Sequence, residues 1–177
     1  MLPRLDRNAC ALLIVDVQTR LLPEMWEAQR VERNIAMLAQ MARRWNMPVL
    51  VSEQNPDRLG TTVASLREAI GPFAPAAKMS FSAFAALQAE LDRPQVLLCG
   101  LESHICVQQT ALDLLDDGRQ VFGVYDAISS RQEHNRRVGW ERMTRAGVWP
   151  SSTEAALYEL LREAGTDEFR AMLALVK

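Results

Sequence analysis

The sequence is short of everything that a disulfide framework, a metal cluster or a membrane span would need. Its three cysteines, Cys10, Cys99 and Cys106, are an odd number without Cys-x-x-Cys spacing, which argues against a closed disulfide set and a thiolate zinc site. That usage fits a reducing compartment, so the expected location is cytosolic. Two histidines, His104 and His134, are too few for a nitrogen ligand set, and no metal is expected. No stretch approaches the roughly 20 apolar residues of a membrane span. The segment from Met1 to Asn8 carries charge and precedes an apolar run without a small-residue cleavage site, so it does not read as a signal peptide. The formal charge is −2 and no block of one sign occurs, which gives nucleic acid or an anionic membrane no footing. No Gly-x-Gly-x-x-Gly follows the first apolar run, and no cofactor is expected. Repeats, low-complexity stretches and linkers are also missing. The 177 residues therefore read as one domain, 1–177, able to bury roughly 70% of its unfolded surface.

What is present alternates strand and helix. Cys10–Val15 is continuously apolar, as strands covered on both faces are. Apolar residues at helical spacing predict a helix over Ala28–Trp45, which Pro48 ends before a second strand at Val49–Val51. Gln54–Gly60 has loop chemistry. Thr62–Ile70 reads as a short helix, and Ser82 can cap another reaching Leu91. Val96–Gly100 and Val121–Tyr125 are further strands, with a short one possible at Val148-Trp149. Helices are expected over His104–Asp117 and Glu133–Ala146. A Ser151–Glu154 capping box opens another, to about Ala164, and the last spans Asp167–Val176. This order predicts an α/β fold, a doubly wound parallel sheet with helices on both faces in three layers. Ligands in such folds bind at the carboxyl ends of the strands.

Three chemistry-bearing residues fall at that edge. Asp16 closes the first apolar run. Cys106 sits in the first turn of a helix, where unpaired N–H groups and the macrodipole favour a thiolate. Lys78 lies between them in an apolar Ala-Ala-Lys-Met-Ser-Phe segment. Each has a plainer reading: a carboxylate bonded to loop N–H groups, a packed small hydrophobe, a solvated lysine. A phospho-accepting Asp16 is a further alternative, although Gln18 stands where a second aspartate belongs. Cys10 and Cys99 read as inert core thiols. His104, two residues from Cys106, does not share its helix face and reads as structural.

Leu12-Leu-Ile-Val-Asp-Val-Gln18, Ala77-Lys-Met-Ser-Phe-Ser82 and Leu97-Leu-Cys-Gly-Leu-Glu-Ser-His-Ile-Cys-Val107 resemble three ordered motifs of the isochorismatase-like cysteine hydrolases. The likeness extends through Val124-Tyr-Asp-Ala-Ile-Ser-Ser-Arg131. Val51-Ser-Glu-Gln-Asn-Pro and Leu59-Gly60 are most similar to the isochorismatase domain-containing branch. The resemblance implies a triad in which Asp16 takes the thiol proton, Lys78 stabilises anions and Cys106 attacks an acyl carbon. It also implies an oxyanion hole from the backbone N–H groups of Glu102 and Cys106, with a cis Leu101–Glu102 peptide. Two departures matter. Ser52-Glu-Gln-Asn55 lacks the histidines of the nicotinamidase metal site, and Cys106 argues against the vinyl-ether chemistry of isochorismatases proper. The expected activity is hydrolysis of an amide-like C–N bond of a small molecule by a homo-oligomer, dimer or larger. Leu22, Trp26, Gln54 and Phe81 are the expected pocket walls, although Trp26 fits the core equally well. The competing class is a binding or scaffold protein that keeps the fold without turnover.

Overall fold

Apolar runs become the strands of one parallel sheet in the computed structural model, which describes residues 3–177. The strands are β1 (Cys10–Val15), β2 (Val49–Gln54), β3 (Ala76–Lys78), β4 (Gln95–Leu101), β5 (Gln120–Ser129) and β6 (Trp149–Ser151). Their order is β3-β2-β1-β4-β5-β6, and every neighbouring pair is parallel. Side chains alternate along each strand with period two. Cys10, Leu12 and Ile14 of β1 enter one core, and Ala11, Leu13 and Val15 enter the other.

Helices α1 (Ala28–Arg44), α2 (Pro56–Leu59), α3 (Ala64–Ile70) and α4 (Phe84–Leu87) belong to the first half of the chain. Helices α5 (Gln108–Asp116), α6 (Glu133–Ala146), α7 (Thr153–Leu161) and α8 (Asp167–Val176) belong to the second. Val31, Ile35 and Leu38 of α1 join Leu66 of α3, Leu157 of α7 and Met172 of α8 on one face of the sheet. Leu87 of α4, Leu114 of α5 and Met143 of α6 cover the other. The three-layer, doubly wound arrangement expected from the alternation is therefore present. Among the described residues, no helix is long and apolar enough to cross a membrane.

Several local expectations shift. Gln54–Gly60, which reads as loop, contains the one-turn α2 opened by Pro56, a residue pre-set for a helix start. The helix after Ser82 begins at Phe84, whose N–H bonds Ser82 Oγ at 3.2 Å, and stops at Leu87 rather than Leu91. Ser152, not Ser151, caps α7, accepting from the Ala155 N–H at 3.3 Å. α7 ends at Leu161, short of Ala164. The stretch before α5 is a π-helical turn, Ser103–Val107, rather than regular helix.

Candidate active site

Strand order reverses between β1 and β4, because the chain winds outward from them in opposite directions. A crevice opens at the carboxyl ends of such a pair. Asp16 is the first residue beyond β1, and Glu102 is the first beyond β4. The two strand ends are held close by Gly100, whose φ is +121° and where a Cβ would fall 2.1 Å from the Val15 carbonyl oxygen. No other residue fits that contact.

Asp16 leaves β1 in a left-handed conformation, φ +54°, and is fully buried. Its Oδ1 accepts from Ser52 Oγ at 2.7 Å, and its Oδ2 accepts from Lys78 Nζ at 2.7 Å. Lys78 closes β3, and its ammonium also donates to Gln54 Oε1 (2.8 Å), Phe81 O (3.0 Å) and Ser80 O (3.2 Å). It is a buried, fully partnered cation, not a solvated one. Both Asp16 oxygens are engaged, one by Ser52 and one by Lys78.

Cys106 lies in the π-helical turn, 6% exposed, near enough to Asp16, Lys78 and the Glu102 backbone for each to act on its thiol. Burial pushes the thiol pKa up to about 12; Asp16 adds to the rise, while Lys78 and the Glu102 N–H oppose it. This corrects the expectation of a thiolate favoured by a helix terminus. Desolvation and a neighbouring carboxylate outweigh the groups that favour the anion, so the resting group is a thiol. Cys10 and Cys99 are wholly buried, as expected of core thiols.

A cavity of about 110 Å³ opens onto the Cys106 sulfur. Leu21, Leu59, Phe81 and Ile105 supply its apolar walls, and Gln54 and Glu102 border it. Of the expected walls, Gln54 and Phe81 are in place. Leu22 is not: it points into the core, and its neighbour Leu21 faces the cavity instead. Trp26 is not a wall either, since its ring lies between the Arg30 and Arg136 guanidiniums, each 5.3 Å from its centroid. Larger hollows, about 610 and 670 Å³, lie between α1 and α3 and beside Gln95 and Gln120, and neither is lined by a cysteine.

Sequence reasoning missed the side-chain contacts that fix the turn holding Cys106. Glu102, 6% exposed, accepts from Arg131 Nε at 3.0 Å and from the Arg131 backbone N–H at 3.3 Å. Ser130 Oγ meets His104 Nδ1 at 3.0 Å, which gives His104 the structural place expected of it. Burial holds that imidazole below its ordinary pKa, against the pull of Glu102. Arg131 closes the Val124–Arg131 motif, the one sequence signal that could have pointed to this clamp. The Leu101–Glu102 peptide is cis. Glu53 bonds the Thr62 N–H and hydroxyl, both at 2.7 Å. Among the described residues, no three His, Cys, Asp or Glu side chains group as metal ligands.

The Isochorismatase domain family matches residues 10–155. Isochorismatase domain-containing protein 2 of Rattus norvegicus is 37% identical over 181 residues, spanning 99% of this chain and 85% of its own. The structure of MAR1 ribonuclease from Caenorhabditis elegans aligns with a TM-score of 0.93 at 30% identity, over 98% of this chain and 92% of that one. YcaC from Pseudomonas aeruginosa, solved with hexane-2,5-diol and covalent acrylamide, aligns with a TM-score of 0.89 at 29% identity, over 99% and 92% of the respective chains.

Proposed function

The chain belongs to the isochorismatase domain family, within the isochorismatase-like cysteine hydrolases, and we propose that it cleaves an amide-like C–N bond of a small molecule through a Cys106 thioester. One observation carries the reading: the buried Cys106 lines a cavity, and the buried Asp16–Lys78 pair, 2.7 Å apart, is near enough to act on its thiol. In the first half-reaction the sulfur bonds the acyl carbon as its proton passes to Asp16. The carbonyl oxygen becomes an oxyanion facing the backbone N–H groups of Glu102 and Cys106, donors worth about 3 kcal/mol each in such sites. The C–N bond then breaks, and the leaving amine takes the proton from Asp16. In the second half-reaction Asp16 takes a proton from water, the oxygen bonds the acyl carbon, the C–S bond breaks and the thiol is restored. Lys78 holds Asp16 in place throughout, because its ammonium is fixed by three further acceptors.

Covalent acrylamide in the Pseudomonas relative fits an electrophile-accepting site, and acrylamide is itself a small primary amide. RNA cleavage, which the nematode protein's name describes, has less support: the charge is −2 and a 110 Å³ cavity is too small for a nucleotide. The proposal includes a cytosolic location and a homo-oligomer, with no membrane or nucleic-acid partner. Ammonia release from a panel of small primary amides tests the activity, with Cys106→Ala as the blank. Release by the native chain alone is expected, and sizing of the same preparation should give a dimer or larger. Equal release by both proteins, or none by either, would favour a binding protein that keeps the fold.

A further inference from the structure

The walls around Cys106 say more about the substrate than the reacting groups do. Leu21, Leu59, Phe81 and Ile105 present only hydrocarbon to the cavity. Every charge beside it is already matched within the protein. Asp16 is paired with Lys78 at 2.7 Å, and Glu102 with Arg131 at 3.0 Å. The Gln54 amide is engaged at both ends, accepting from Lys78 and donating to the Met79 carbonyl at 3.0 Å. The volume, about 110 Å³, lies well below the roughly 300–1,000 Å³ of pockets that enclose drug-sized ligands.

We propose, building on the hydrolase reading, that the Cys106 cavity takes a short, uncharged, aliphatic acyl group and rejects acyl groups that carry a carboxylate. An anion entering it would lose its water and meet no free cation. Lys78 has four acceptors already, and the Arg131 side chain, 58% exposed, is turned to Glu102. A buried charge without a partner is strongly disfavoured, so exclusion follows from the walls rather than from a dedicated repulsive residue. A short alkyl group meets only apolar side chains and gains contact without losing hydrogen bonds. Size limits the other end: each added methylene must find room among Leu59, Phe81 and Ile105.

Paired alkylation tests this independently of turnover. Iodoacetamide and iodoacetate differ by an amide against a carboxylate, and each alkylates a thiol by forming a C–S bond as iodide leaves. Site-resolved mass spectrometry gives the rate at Cys106 for each reagent, and glutathione under the same conditions gives the intrinsic ratio. The amide-to-carboxylate rate ratio at Cys106 is expected to exceed that of glutathione by at least fivefold; a smaller excess overturns the proposal. Hydrolysis of propionamide and succinamate, which differ by a terminal carboxylate, separates the two readings. If neither yields ammonia while the alkylation ratio holds, the hydrolase reading fails and the cavity's selectivity stands. If succinamate is cleaved as fast as propionamide, the selectivity fails and the hydrolase stands.

Discussion

Asp16 and Lys78 act on the Cys106 thiol with opposite sign: the carboxylate raises its pKa and the ammonium lowers it, and with burial as the largest cause the thiol is pushed up to about 12. A thiol so placed meets a small electrophile through the small thiolate fraction that solution pH allows. Its alkylation by iodoacetamide should therefore climb about tenfold per pH unit from pH 7 to 9, with no plateau. Asp16→Asn removes the anion that raises the pKa and leaves the nearby cation, so alkylation should quicken while ammonia release is lost. Lys78→Met should slow both. Rates followed by intact mass across pH check this, and slower alkylation in Asp16→Asn would count against the carboxylate as a group that raises the thiol pKa. Both substitutions break a buried ion pair, for which a stability loss of about 3–5 kcal/mol is expected.

At the scale of elements, the π-helical turn Ser103–Val107 is seated on α6 through Gly139, where a Cβ would lie 2.7 Å from the His104 backbone N and Cα. Two effects compete in Gly139→Ala. Alanine favours a helix interior over glycine by about 0.5–1 kcal/mol, whereas overpacking against backbone typically costs about 1–3 kcal/mol. Backbone cannot swing aside as a side-chain tip can, so the clash should win. Urea unfolding should show net destabilisation of about 1–2 kcal/mol, with slower ammonia release as the Cys106 turn is displaced; a more stable, equally active variant would contradict this. Elements with strong local signals were legible in the sequence. The apolar run of β1, the glycine-stopped α6 and the span of α8 fall where patterning puts them. β3 was not: Ala-Ala-Lys has no β-branched or aromatic residue, and three residues show no period. Nor was the π-helical turn, since Ser-His-Ile-Cys-Val reads as ordinary helix. Asp16 and Cys106 were legible from the apolar runs they follow, and Lys78 from its apolar setting and its match to a family motif. The cavity walls were not, because which of Leu21 and Leu22 faces inward depends on the turn between them. The Glu102–Arg131 clamp joins residues 29 apart, which no local pattern reveals.

The whole molecule keeps three thiols out of water. Burial pushes Cys10 up to about 12 and Cys99 higher still, beside Cys106. All three are raised above the ordinary thiol value of about 8.5, so their contribution is complete below that pH and is lost as pH climbs toward the folded values. Each thiol should then remove about 1.4 kcal/mol of stability per pH unit above roughly pH 8.5. Cys99→Ala should be less stable at pH 7, because it leaves a void, yet fall less steeply with alkali. Urea midpoints at pH 8, 9 and 10 measure the slopes, and identical slopes would dissociate the thiols from alkaline unfolding. The same architecture splits the site in two. Asp16, Lys78 and Glu102 stand at strand ends, whereas Leu21 and Phe81 come from connections between elements and Leu59 from the one-turn α2. The connections can accept substitution and insertion that a six-stranded sheet cannot. A lineage built on this sheet is therefore free to reshape the cavity by redrafting two connections and a one-turn helix, while the residues at the strand ends are inherited unchanged.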